Sequence, residues 1–260
     1  MKVHLIVPMA GLGSRFSKAG YKVPKPLLDV HDSHMYQVVL GNLFDANLGS
    51  IRIVSPKEFG LPNHFDALGG SLDGVPVVIT ELNHVTDGPA TTVELALAGI
   101  PDQDAVVVAN SDQYLDFNCA KFYQRLLETP TGGVIVTMED TDPKWSFVLT
   151  NKNDLVVGVK EKHPVSHIAT AGVYGFRSAS ELKTAIRHMR AADDRTNGEL
   201  YVGPAYNHLK GYPSGLAEIE HLGPVGQVMH GMGIPQDYED FLKLDKSVQA
   251  ALKSKLLFRR

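Results

Sequence analysis

The 260-residue chain has a single cysteine, Cys119, and a single tryptophan, and it has no apolar run long enough to cross a bilayer. A membrane span needs about 20 consecutive apolar residues. The stretch Met1 to Gly13 is broken by His4, Pro8 and Gly11, so it reads neither as a span nor as a signal peptide. One cysteine excludes a disulfide framework and a cysteine-rich zinc site, and Cys119 reads as a small buried hydrophobe. Eleven histidines offer no H-E-x-x-H or comparable ligand spacing, and no Ser/His/Asp arrangement is evident. A basic excess is missing too. The formal charge is 25 − 29 = −4, which argues against a general nucleic-acid binder. These absences give the expectation of a cytoplasmic protein with no membrane span and no nucleic-acid partner, in which local positive charge serves a small anion.

That charge is concentrated in residues 7–30, directly after the strand-like run Val3 to Val7. Gly11 and Gly13 lack a Cβ, so the chain can turn tightly and present main-chain N–H groups to an anion, with the Ser14 hydroxyl as a further donor. Arg15 adds a planar fork of donors, and Lys25 a compact charge fixed between Pro24 and Pro26. Phosphoryl or nucleotidyl transfer needs chiefly such positioning and charge neutralisation. The familiar phosphate loops are absent: there is no G-x-x-x-x-G-K-[ST], and Gly11 to Phe16 lacks the third glycine of a dinucleotide fingerprint.

Short β-branched runs recur at Val3–Val7, Ile51–Val54, Val75–Thr80, Ala105–Ala109 and Val134–Met138, as in buried parallel strands. Helical spacing of Tyr36, Val39, Leu40, Leu43 and Phe44, of Val93 and Leu97, and of Phe122, Leu126 and Leu127 places helices between them. Beyond about residue 140 the pattern becomes strand-rich. Phe147–Thr150 and Leu155–Val159 flank a turn at Asn151 to Asp154, and Ala171–Phe176 follows; helical spacing returns at Ala179–Ala192 and from Tyr238 to Leu257. The chain is expected to be one mixed α/β domain over 1–260, with a nucleotide-binding part (1–140) and a strand-rich acceptor-binding part (141–260).

Three further constellations sit where such a fold gathers ligands. Asn110-Ser111-Asp112-Gln113 follows the run Ala105–Ala109, and Asp112 there can hold Mg²⁺ against substrate phosphates. Capping of a helix near Asn118 is the plainer role, for which Asp116 is the better candidate. Thr86, Asp87 and Gly88 precede a helix opened by small residues, where N-terminal capping by Thr86 or Asp87 is the alternative to ligand binding. Val159-Lys160-Glu161-Lys162 leaves two choices, the lysines facing one way and Glu161 the other, or the reverse.

Taken together, residues 8–32, with 83–97, 106–116 and 159–176 in the same order, resemble the sugar-phosphate nucleotidyltransferases, the family of glucose-1-phosphate thymidylyltransferase. The resemblance implies a Rossmann-like fold with a mixed, mainly parallel sheet flanked by helices. It also implies an enzyme joining a nucleoside triphosphate to a phosphorylated acceptor, with Mg²⁺ as cofactor and pyrophosphate as by-product. Arg15, Lys25 and Asp112 become the catalytic set, with Asp112 as metal ligand. Ala10, Gly11, Leu12, Gly13, Ser14, Asn83, Thr86, Gly88 and Ser111 become nucleotide contacts, and Glu161, Lys162, Gly172, Glu199 and Asn207 acceptor contacts, with Tyr206 beside them. The Ser-Asp-Gln form of the metal loop is similar to that of capsular and surface-polysaccharide proteins, which points to a sugar 1-phosphate. A cytidylyltransferase for a non-sugar acceptor, a related glycosyltransferase and a non-catalytic nucleotide sensor are the alternatives. Gly231 stands where the family has a second metal-binding aspartate, and Asp237 is expected to start the last helix. Nucleobase and homo-oligomerisation are left open.

Overall fold

A computed structural model describes residues 1–11, 13–31, 33–66 and 70–244. Leu12 and the expected helix beyond residue 244, including Lys253, Lys255, Arg259 and Arg260, lie outside the described residues. The chain runs β1 (Val3–Pro8), α1 (Ser14–Lys18), the short β2 (Asp29–Val30) and β3 (Ser33–His34), α2 (Met35–Leu43), β4 (Ser50–Pro56) and α3 (Leu61–Asp66). There follow β5 (Ser71–Leu72), β6 (Val75–Leu82), α4 (Pro89–Ala96), β7 (Ala105–Ala109), β8 (Gln113–Leu115), α5 (Cys119–Glu128) and β9 (Gly133–Glu139). The remainder is β10 (Ser146–Thr150), β11 (Val156–Glu161), β12 (Ile168–Phe176), α6 (Ala179–Ala191), β13 (Glu218–Pro224), β14 (Met229–Gly231) and α7 (Pro235–Leu242).

The fold is the expected α/β architecture. One large sheet has the order β11-β10-β12-β7-β1-β4-β6-β5, with β9 pairing β12 and β13 pairing β9. Strands β7, β1, β4 and β6 are mutually parallel, as are β9 and β13, while β12 enters antiparallel between β7 and β9. Every residue of β7 is buried, which accounts for its unbroken apolar sequence. The chain passes from β1 outward to β4 and β6 and then returns to β7 on the other side of β1. The strand order therefore reverses between β1 and β7, and ligands in open sheets collect at the carboxyl ends of the strands beside such a reversal. The glycine loop leaves β1 there, and Asn110 to Asp112 leave β7 there.

Two devices brace this corner. Asn42, buried inside α2, donates Nδ2–H to Leu115 O at 2.8 Å and accepts from Leu115 N at 2.9 Å, acting as a strand partner for β8. Phe16 of α1 packs edge-on to Tyr238 of α7 at 6.0 Å between centroids, and the Tyr238 hydroxyl donates to Asp29 O at 2.5 Å. Helix α7 is thereby fixed beside the glycine loop. Asp237 lies in its first turn, as the sequence suggested.

Local chemistry corrects two capping expectations. Asn118, not Asp116, caps α5, accepting from Lys121 N at 3.1 Å. Neither Thr86 nor Asp87 caps α4: its N-cap is Gly88, while Asp87 pairs with Arg195 at 2.8 Å.

Below the sheet's opposite end, the buried His4 shares a 2.7 Å hydrogen bond with Ser50 Oγ through Nδ1 and lies 3.2 Å from Asp104 Oδ2 through Nε2. Burial lowers its pKa from 6.5, with Asp104 opposing. A base whose folded pKa is depressed contributes stability that is fully present above the unfolded value and lost as pH falls through the folded one. Unfolding free energy should therefore decline as pH falls below about 6.5, and the decline should shrink in His4→Asn. Denaturant titrations of both proteins on either side of that pH measure it; an identical decline would remove His4 as the cause.

Candidate active site

Lys25 and Asp112 meet at the strand-order reversal. Lys25 opens a single 3-10 turn, Lys25–Leu27, entered from Pro24 and containing Pro26, so two rings constrain its backbone. Its Nζ stands 2.6 Å from Asp112 Oδ2, with the two side chains 20% and 22% exposed. Gly13 has φ 58, and a Cβ there would touch Lys25 Cβ at 3.3 Å, so the loop closes directly onto the lysine. Asp112 O accepts from Met232 N at 2.7 Å, and a Cβ on Gly233 would come within 2.9 Å of Asp112 Oδ2. Glycine at 233 leaves this carboxylate its room.

Two cavities of about 310 Å³ each share this pair. Lys25, Pro89, Asn110, Asp112 and Tyr201 wall both. The first cavity adds Arg15, Lys144, Trp145, Glu161, Lys162 and Asp237, with the hydroxyls of Ser146, Thr170 and Tyr174 and the backbone of Gly172 and Gly231. The second adds Pro8 to Gly11, Val85, Thr86, Gly88, Ser111 and Glu199. It is lined largely by backbone and small side chains, which suits a flat ring and a phosphate chain. The first cavity is polar and ionic.

The alternation question at β11 is resolved by the backbone. Glu161 ends the strand buried in the first cavity, Lys160 is exposed, and Lys162 adopts φ 57. That left-handed residue breaks the period of two, so Glu161 and Lys162 reach the same cavity. Burial raises the Glu161 pKa, while the proton donated by Ser146 Oγ–H opposes it. Gly172 lies at an irregularity of β12 with φ 71; a Cβ there would meet Gln113 Oε1 at 2.0 Å and Asn110 Nδ2 at 2.7 Å. No side chain fits between these amides and the strand.

Other expected residues fall elsewhere. Asn207 spends its amide on β11, donating to Val159 O at 2.9 Å and accepting from Val159 N at 2.8 Å, and lines neither cavity. Tyr206 is a core residue stacked on Phe176 at 4.3 Å, with its hydroxyl donating to Gly175 O. Glu199 walls the second cavity instead of the first. Asn83 and Ser14 are exposed and line neither, and Arg15 belongs to the first cavity, away from the glycine-loop cavity where a triphosphate tail was expected to meet it. Lys144, Trp145, Tyr174, Tyr201 and Gly233 escaped the sequence reading. Aromatics and glycines carry core and turn roles throughout such a chain, and no local spacing sets these apart.

The MobA-like NTP transferase domain matches residues 5–196, well over half the chain. The chain belongs to this family. It is a nucleotidyltransferase enzyme. No curated protein matches it in sequence. Among solved structures it is similar to a nucleoside-diphosphate-sugar pyrophosphorylase of Vibrio cholerae RC9, with 25% identity and TM-score 0.78 over 92% of this chain and 100% of that one. A Bacillus anthracis protein assigned as a glucose-1-phosphate thymidylyltransferase, solved with a sucrose, has 18% identity and TM-score 0.73 over 94% and 96% of the two chains. The inositol-1-phosphate CTP transferase of T. maritima has 14% identity and TM-score 0.69 over 97% and 95%. The last two likenesses extend to the fold. Among the described residues, no helix is long and apolar enough to cross a membrane.

Proposed function

We propose that this nucleotidyltransferase joins a nucleoside triphosphate to a sugar 1-phosphate or closely similar cyclic polyol phosphate. The observation that carries the reading is the pair of cavities with Lys25 and Asp112 in their common wall. A triphosphate in the second cavity would place its α-phosphate at that wall, with its tail near Gly11 and Gly13. The acceptor phosphate would approach from the first cavity, drawn by Arg15, Lys25 and Lys162. One of its oxygens attacks the α-phosphorus, the bond from that phosphorus to the bridging oxygen breaks, and pyrophosphate leaves. An ionised phosphate needs no protein base, in keeping with the absence of a Ser/His/Asp arrangement in the sequence.

Lys25 would offset the charge that builds on the transferring group, from a backbone position already fixed by two prolines. Magnesium takes one or two carboxylates together with substrate oxygens. Asp112 fits that demand: it is a single carboxylate at the common wall, and among the described residues no cluster of three or more His, Cys, Asp or Glu offers a closed protein cage. The ion would there neutralise phosphate charge.

One buried polar group in the first cavity selects the acceptor's chemistry. Gln113 is 2% exposed, lines the first cavity, and its Nε2 finds no hydrogen-bond partner among the described residues. A buried donor left unpaired costs about 1–3 kcal/mol, so it selects a ligand that brings an oxygen. Glu161 supplies the complementary acceptor. Ring hydroxyls meet both, whereas a quaternary ammonium would leave Gln113 unsatisfied. With a sugar 1-phosphate as acceptor the product is a nucleoside-diphosphate sugar, a glycosyl donor of the kind used in polysaccharide assembly.

The test is pyrophosphate release with Mg²⁺ and each of ATP, CTP, GTP, UTP and dTTP, against sugar 1-phosphates, inositol 1-phosphate and phosphocholine. Release should require both substrates, and the preferred sugar or inositol phosphate should exceed phosphocholine at least about tenfold, as expected for a site with a mispaired polar group. Equal turnover of phosphocholine would overturn the acceptor class. Release from no pair would overturn transfer itself.

A further inference from the structure

Tyr201 walls both cavities and pairs with a cation of the first. On the first-cavity side its hydroxyl accepts from Lys162 Nζ at 2.6 Å, and the same ammonium lies 4.6 Å from the centre of its ring. Glu199, two positions earlier in the chain, lines the second cavity. Burial is the first cause that raises its pKa, and the Glu199 carboxylate adds to it, so the phenol keeps its proton at neutral pH and remains a donor. The oxygen thus serves as acceptor for the Lys162 cation while keeping its own proton.

Lys162 needs such a partner. It follows β11 in a left-handed conformation, and its flexible four-carbon stem carries a strongly hydrated charge with much rotamer freedom. The charge-assisted hydrogen bond confines that freedom before any ligand arrives. Tyr201 itself is held by the neighbouring Leu200, whose N–H donates to Asp87 O at 3.0 Å and whose carbonyl accepts from Ala90 N at 2.9 Å. The support therefore originates in the turn and helix that border the second cavity.

We propose that Tyr201 is a positioning residue: from the wall shared by the two cavities, its hydroxyl pre-sets the Lys162 ammonium for the acceptor's phosphate. It does not touch the reacting atoms. The inference rests on the two-cavity transfer reading and adds to it the device that sets the acceptor-side cation.

The experiment measures calorimetric binding of inorganic phosphate and of inorganic tripolyphosphate to the parent, Tyr201→Phe, Lys162→Ala and the double variant, with thermal unfolding of each. Tyr201→Phe keeps the ring and removes only the hydroxyl. It should weaken phosphate about tenfold, the scale of a hydrogen bond to a charged group, while tripolyphosphate affinity stays within about twofold of the parent, since the glycine loop is untouched. The double variant should bind phosphate no more weakly than Lys162→Ala alone, because the hydroxyl acts only through that ammonium. A merely structural role would lower the unfolding temperature and weaken both anions. Unchanged phosphate binding in Tyr201→Phe, or losses that add in the double variant, would overturn this inference and leave transfer standing. A parent protein that binds neither anion would overturn the transfer reading and this inference with it.

Discussion

Lys25→Ala should lower kcat for pyrophosphate release by about 10²–10³-fold, the loss typical of removing one preorganised charge from a transition-state site. The alternative, a lysine that only neutralises Asp112, predicts almost nothing, because a partly exposed ion pair contributes about 0–1 kcal/mol. Geometry separates the two. The ammonium is in the common wall of both cavities and its backbone is fixed by Pro24 and Pro26, an arrangement that a surface pair has no use for. The thermal midpoint should move by less than about 2 °C, since one exposed pair is all that folding loses. Lys25→Arg should recover only part of the rate: the charge returns, but the planar fork cannot occupy the space of a compact ammonium set 2.6 Å from Asp112 Oδ2. Steady-state assays with the best substrate pair measure all three. A Lys25→Ala protein within about threefold of the parent, below the range for such charges, would remove Lys25 from the chemistry.

Gly88→Ala should have the largest effect on stability, about 3 kcal/mol, equivalent to roughly 6–12 °C for a chain of this size. Gly88 has φ 140 and ψ 166, a region open essentially to glycine alone. A Cβ there would stand 2.4 Å from Leu200 N and 2.5 Å from Leu200 O, so the obstruction is backbone and cannot swing aside. Two hydrogen bonds cross the same contact, Leu200 N to Asp87 O and Ala90 N to Leu200 O. Separating the two segments of that contact displaces Glu199 and Tyr201, which flank Leu200 and wall the second cavity. Activity should accordingly fall even at temperatures where the variant is fully folded. Calorimetry and assays at about 20 °C check both parts; an unfolding temperature within about 2 °C of the parent would show that the turn yields at little cost.

Gly88 also shows how a family resemblance and a physical cause differ. The sequence reading valued it as a nucleotide contact. The structure gives it a backbone task, the docking of residue 200 against the turn, which brings part of the carboxyl-terminal half into the wall of the second cavity. The division at residue 140 is therefore not a division of the site. The sheet itself runs across it, because β12 inserts beside β7.

Much of the architecture could be read from residue order alone. Ala105–Ala109 is an unbroken apolar run, and Val3–Val7 one interrupted only by the buried His4, because both faces of their strands are covered. The glycine loop, Lys25 between prolines and Asp112 after β7 were legible because each is a local arrangement whose chemistry is carried by adjacent residues. The short β8 and β14 were not, since three-residue strands carry too little periodicity and pair only with each other. Asn207 misled for a related reason: an amide that replaces a strand partner has the same sequence appearance as one that faces a ligand.

Sequence by itself determined the apolar runs that build the sheet, the cationic glycine loop and the single carboxylate after β7, since these depend on neighbours along the chain. Tertiary structure alone decided that Glu161 and Lys162 share a cavity, that Glu199 faces the other one, and that Tyr201 stands between them. These placements follow from a left-handed backbone at Lys162 and from a backbone contact between Gly88 and Leu200, 112 positions later in the chain, and no local pattern encodes a contact over that separation.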